Sequence, residues 1–195
     1  MPLYVFLGVL ALLVVWPILI YNGLVRLRNQ VQNAWRQIDV QLKRRHDLIP
    51  NLVETVRGAM EFERGTLTQV VEARAKAMTA TGPAQAARLE GELTQALGRL
   101  FALAEQYPLL TANQNIKLLQ EELSSTENKV GFARQLYNDV ATEFNIKQET
   151  FPSDLIASTF NFTRAELFEI QDAAEREVPK VDLKIGRNRT PDTGP

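Results

Sequence analysis

The chain holds a single histidine, His46, set among Arg44, Arg45 and Asp47. With one candidate base and no partner fixed by spacing, a Ser-His-Asp arrangement has nothing to build on. On a helix amid charges, such an imidazole reads as a solvated side chain. Cysteine is absent, which removes disulfides, thiolate nucleophiles and sulfur metal ligands together. Neither a glycine-rich phosphate loop nor a paired-histidine motif occurs. Glu61 and Glu63, and Glu121 and Glu122, read as solvated helix faces. Asp39, Lys43 and Asp47 stand at steps of four, the spacing of helical ion pairs contributing about 0.2–0.5 kcal/mol each. The expectation is a protein that is not an enzyme, with no catalytic, cofactor-binding or metal residues.

Charge balance narrows the partners. Lys and Arg number 22 against 23 Asp and Glu in 195 residues, for a formal net charge of -1. Nucleic-acid binders carry a strongly basic face, so nucleic acid is not expected as a partner.

The elements that must position any functional surface begin with an apolar run from Leu3 to Ile20 that carries no charge. At the helical rise it spans about 27 Å, enough to cross a bilayer. A cleaved signal peptide needs a charged n-region and small residues at the cleavage site, and no Lys or Arg precedes Arg26. The run therefore reads as a retained single-pass anchor over residues 1–22, with Trp16 and Tyr21 as interfacial side chains. Pro17 is tolerated in a membrane helix. Arg26, Arg28 and Arg36, with Lys43, Arg44 and Arg45, form a basic cluster just past the anchor. By the positive-inside rule it places the body in the cytoplasm, with anionic lipid headgroups within its reach.

Past the anchor the texture is helical throughout, and the fold class is all-α. Leu24, Val31, Trp35, Ile38, Leu42, Ile49, Leu52 and Val56 make one heptad seam. The seam predicts a first helix continuous with the anchor, bent or broken at Pro50, that ends at Thr81-Gly82-Pro83. A rod from Leu3 to about Ala80 would be roughly 115 Å long. A second helix follows to Tyr107-Pro108, and a third carries Ile116, Leu123, Val130, Tyr137 and Phe144. Residues 23–178 thus read as a long antiparallel bundle of three to four helices. Asn113, Asn115, Asn128, Asn138 and Asn145, near the third seam, either fix helix register or lie at the surface.

Phe151, Phe160, Phe162 and Phe168 crowd the next stretch. They read either as a cap folded over one end of the bundle or as an exposed patch for a partner protein or a membrane surface. Thr163 with Glu166 makes a capping box for a last helix over about 164–177. Residues 179–195 hold too little apolar content to fold and read as a flexible tail.

The motifs themselves carry a resemblance. Tyr21-Asn22-x-Leu24-Val25, Ala34-Trp35-x-x-Ile38-Asp39-Val40-Gln41-Leu42-Lys43-Arg44-Arg45 and Asp47-Leu48-Ile49-Pro50-Asn51-Leu52-Val53 open the series. Ala104-Glu105-x-Tyr107-Pro108, Leu119-Gln120-x-Glu122-Leu123, Ala133-Arg134-x-x-Tyr137-Asn138 and Phe151-Pro152 continue it in order. Together they resemble the bacterial LemA family. Phe160-Asn161-Phe162 departs from the family pattern, which often has glycine before the last aromatic, and His46 stands where many relatives carry an aromatic. The resemblance implies a single-pass protein of the bacterial cell membrane, a helical body, no established catalytic residues, and a membrane protease or TPM-domain protein among the candidate partners.

Two functional expectations follow. One is a membrane-anchored scaffold that self-associates and organises or remodels the membrane. The other is an adaptor that offers Phe160, Phe162 and Phe168 to a membrane protease or another envelope protein.

Overall fold

The apolar run and the heptad seam form one helix, α1 (Pro2–Arg57), in the computed structural model, which describes residues 2–58 and 63–169. At 56 residues it is about 84 Å long. In its first five turns the large side chains from Leu3 to Leu19 stand exposed. Burial starts where the apolar run ends, with Ile20 packed on the core and Leu24 fully enclosed.

The rod expected to reach Ala80 is two helices. α1 stops at Arg57, Gly58 is in a turn, and α2 (Arg64–Ala77) runs back along it. Gly58 and Gly65 each weaken a continuous helix by about 1 kcal/mol relative to alanine. Folding back also buries Leu67 and Val70, which an extended rod would leave in water. The second and third expected helices are present as α3 (Pro83–Ala104) and α5 (Gln114–Glu149), joined through the single turn α4 (Pro108–Thr111). Gly82, at φ 86°, makes the sharp entry into α3 that a side chain would strain. Thr81 closes that entry by donating its N–H and hydroxyl to Gln85 Oε1.

Pro50 stays inside α1 and creates a docking point. A proline has no N–H to give to the carbonyl four residues back, so the carbonyl of His46 is left open. Arg74 Nε from α2 fills it at 2.7 Å. Replacing Arg74 with methionine should therefore cost about 1.5–3 kcal/mol, the range for a hydrogen bond from a charged donor. In a Pro50→Ala background the helix supplies its own N–H and the loss should shrink. A double-mutant cycle on urea midpoints checks this, and additive losses would refute the coupling.

The core has two sections. Far from the anchor, α1, α2, α3 and α5 pack as a four-helix bundle around Leu52, Val56, Val70, Leu93, Leu100 and Leu123. Near the anchor α3 contributes only Ala86 and Ala87 from its first turns, and α1 and α5 by themselves do not enclose a core. A third wall comes from α6 (Ser153–Thr159) and the segment after it, which carries Phe162 and Phe168. α6 was not expected. The helix expected over 164–177 does not form across residues 163–169, which are non-helical. Residues 170–177 and the tail lie outside the described residues. No strand occurs among the described residues.

Candidate functional site

The junction of anchor and body concentrates the unusual contacts. α5 runs antiparallel to α1, and after Glu149 the chain turns through Phe151-Pro152, a cis bond, into α6. α6 ends in a Schellman arrangement: Phe162 N–H donates to Ala157 O at 2.9 Å and Asn161 N–H to Ser158 O at 3.3 Å. Asn161 occupies the left-handed position at φ 52°, a conformation that glycine adopts freely and asparagine is among the few other residues to tolerate. The motif aims both flanking rings at α1. Phe160 lies 4.8 Å and Phe162 5.8 Å from the Tyr21 ring, centroid to centroid. The Arg28 guanidinium sits 5.2 Å over Phe162, a cation–π contact.

Two asparagines then hold the chain against α5. Asn145 donates to Ala165 O at 2.9 Å and accepts from Ala165 N–H at 2.8 Å. Asn138 does the same with Phe168, at 3.1 and 2.8 Å. Seven helical residues rise about 10.5 Å and three extended residues reach about the same distance, so the spacing selects an extended chain. It also supplies the physical reason no helix forms here: the backbone groups a helix would use are already bonded to α5. Tyr137 adds a hydroxyl bond to Glu166 O at 2.6 Å. These two asparagines neither set register between helices nor lie free at the surface; they clamp a backbone.

Burial and the nearby Glu166 carboxylate push Tyr137 up to about 12 from its ordinary 10.0. The folded form therefore holds this proton more tightly than the unfolded chain. The stability so contributed is complete below pH 10 and is lost as pH rises toward 12. Tyr137→Phe should flatten the fall in stability over that window, measured by urea unfolding at stepped pH; an unchanged slope would refute it.

Of the three phenylalanines expected as a partner surface, Phe168 is a core residue, 3% exposed and packed near Trp35. Phe162 is half-buried. Phe160 remains exposed, as do Phe151 and Leu155. Among the basic residues, Arg26 and Arg28 lie within two turns of Tyr21, whereas Arg36 sits about 22 Å from Tyr21 along α1 and contacts Asn33.

His46 is not solvated. It is 7% exposed, and its Nε2 lies 2.6 Å from Glu90 Oε1. Arg45, 3% exposed, reaches the other oxygen of Glu90 at 3.1 Å and Thr94 Oγ1 at 2.8 Å. The pattern around His46 in sequence showed only its helix neighbours, whereas its partner stands 44 residues away on α3. Charged groups this deeply buried persist only when paired, and here they bridge α1 to α3. By contrast, Arg44 and Glu122 pair across α1 and α5 at the exposed surface. No group of three or more His, Cys, Asp or Glu is placed to hold a metal ion among the described residues.

Protein LemA of Metamycoplasma hominis is 27% identical over 167 residues, covering 84% of this chain and 75% of that protein. Magnetosome protein MamQ of Magnetospirillum gryphiswaldense and magnetosome protein MamQ 2 of Paramagnetospirillum magneticum are each 24% identical over 184 residues, covering 81% of this chain and 68% of theirs. The LemA family model matches residues 34–183, from the Trp35 face of α1 through the clamped segment and beyond, and the chain belongs to the LemA family, as a membrane-associated helical protein.

Proposed function

We propose that this protein is a non-catalytic, membrane-anchored scaffold that self-associates through the side of its body and so organises or remodels the membrane that holds it. The observation that carries this reading is an apolar face on the α1 and α5 pair. Val40, Phe132 and Leu136 are 62%, 74% and 46% exposed and line one shallow depression with Arg36 and Lys129. On a monomer these side chains face water, whereas contact with a second copy would remove them from it at about 25 cal/mol per Å². A linker-free α1 would pass the resulting spacing directly to the bilayer. The relatives named as magnetosome proteins support a membrane-associated role. The basic residues from Arg26 to Arg45 support a cytoplasmic body.

The test is crosslinking in membranes from single cysteines at Arg36 or Gln69, in a chain with none of its own. Self-adducts from Arg36, beside the apolar face, and few from Gln69 on α2 are expected. Phe132→Asp should abolish them while leaving the helical signal intact. A monomer at every site would sink the scaffold. One discrete adduct with another protein would replace it with the adaptor reading, its partner a membrane protease or TPM-domain protein.

A further inference from the structure

We propose that the cap is a second membrane contact: the turn at Phe151 and helix α6 seat Phe151, Leu155 and Phe160 in the headgroup boundary of the leaflet through which α1 leaves the bilayer. The inference rests on α1 crossing the membrane. It is carried by the register of the two long helices. Trp35 on α1 meets Tyr137 on α5, ring centroids 5.7 Å apart. From Tyr137 to Thr150 is thirteen residues, about 20 Å of helix, and from Trp35 back to Tyr21 is fourteen, about 21 Å. The end of α5 therefore comes level with the end of the apolar run. The 4.8 Å contact between Tyr21 and Phe160 places α6 at the same height.

The large side chains left exposed at this height are the wrong ones for water. Phe151 is 75% exposed, and Leu155 and Phe160 are each 56% exposed. Ile146, in the last turn of α5, is 59% exposed. Basic groups flank them: Arg26, Arg28, Lys147 and Arg164, the last paired with Glu149 at 2.8 Å. Large apolar side chains with Arg and Lys at the same height, and with Glu149 and Asp154 among them, beside a Tyr-bearing span are what a lipid interface accepts. The Phe132 face lies roughly 28 Å farther from the anchor, beside Val40, and is out of reach of the same bilayer. The two apolar surfaces thus have different occupants, lipid for the cap and protein for the side.

The experiment uses the full chain in vesicles of phosphatidylcholine and phosphatidylglycerol, some carrying a nitroxide in the upper acyl chain. Single cysteines at Phe151, Leu155 and Phe160 carry an environment-sensitive fluorophore, with Leu10 as the intramembrane reference. Leu109, 81% exposed at the far end of the bundle, is the control of matched exposure. Emission at the three cap positions is expected to shift to the blue and to be quenched several-fold more than at Leu109. Quenching at Leu10 with cap positions no different from Leu109 would overturn the cap contact and leave the anchor standing. Loss of quenching at Leu10 as well would overturn both.

Discussion

Replacing Glu90 with alanine is expected to destabilise the body by about 3–5 kcal/mol, the range for removing one partner of a buried charge pair. The Glu90 carboxylate takes Arg45 on one oxygen and His46 on the other, and all three groups are under 10% exposed. Removal leaves a guanidinium in the interior with Thr94 Oγ1 at 2.8 Å and Glu127 at 3.9 Å, the latter half-exposed. Neither replaces a charge-assisted bond at Glu90. Glu122→Ala, which breaks only the exposed pair with Arg44, should cost no more than about 1 kcal/mol. Trp35 fluorescence during urea unfolding reads both, in a Trp16→Phe background that removes the other tryptophan. A loss for Glu90→Ala within that of Glu122→Ala would show that the buried charges are relieved by some other group.

The second large effect concerns Asn145, 7% exposed and making both its bonds to Ala165. Asn145→Ala leaves an N–H and a carbonyl without partners inside the cap, at a cost of about 2–3 kcal/mol. The loss is local as well as global. Hydrogen exchange at Ala165 should rise sharply, and at Phe168 to the extent that the clamp at Asn138 depends on its neighbour. Asn145→Asp keeps the acceptor and loses the donor, so the Ala165 amide should remain the better protected of the two variants. Unchanged exchange across residues 162–169 in the alanine variant would mean that packing of Phe162 and Phe168 alone holds the segment.

Much of the architecture was legible in local pattern. The uncharged run from Leu3 to Ile20, the heptad seam from Leu24 to Val56, and the Gly82-Pro83 break each act through nearest neighbours along a helix, which is the range over which spacing carries information. The seam's continuation past Gly58 misled because it is the same seam on both sides of a reversal. A heptad pattern records which face is apolar and not which way the chain travels. The capping box at Thr163 and Glu166 misled for a related reason. Its helix competes with Asn138, Asn145 and Tyr137, about 20 to 30 residues upstream, for the same backbone groups, and the competitors win.

By itself the sequence determined the all-α class, a helix apolar enough to cross a membrane joined without a linker to its body, and membership of the LemA family. Each depends on the order and spacing of residues along the chain. Only the tertiary structure decided that His46 is buried, that Phe168 is core while Phe160 and Phe151 stay exposed, and that the cap stands level with Tyr21. Those outcomes depend on long-range pairing. Whether a polar side chain is solvated or buried turns on the presence of a partner such as Glu90, and the height of a turn above a bilayer turns on how α5 registers against α1.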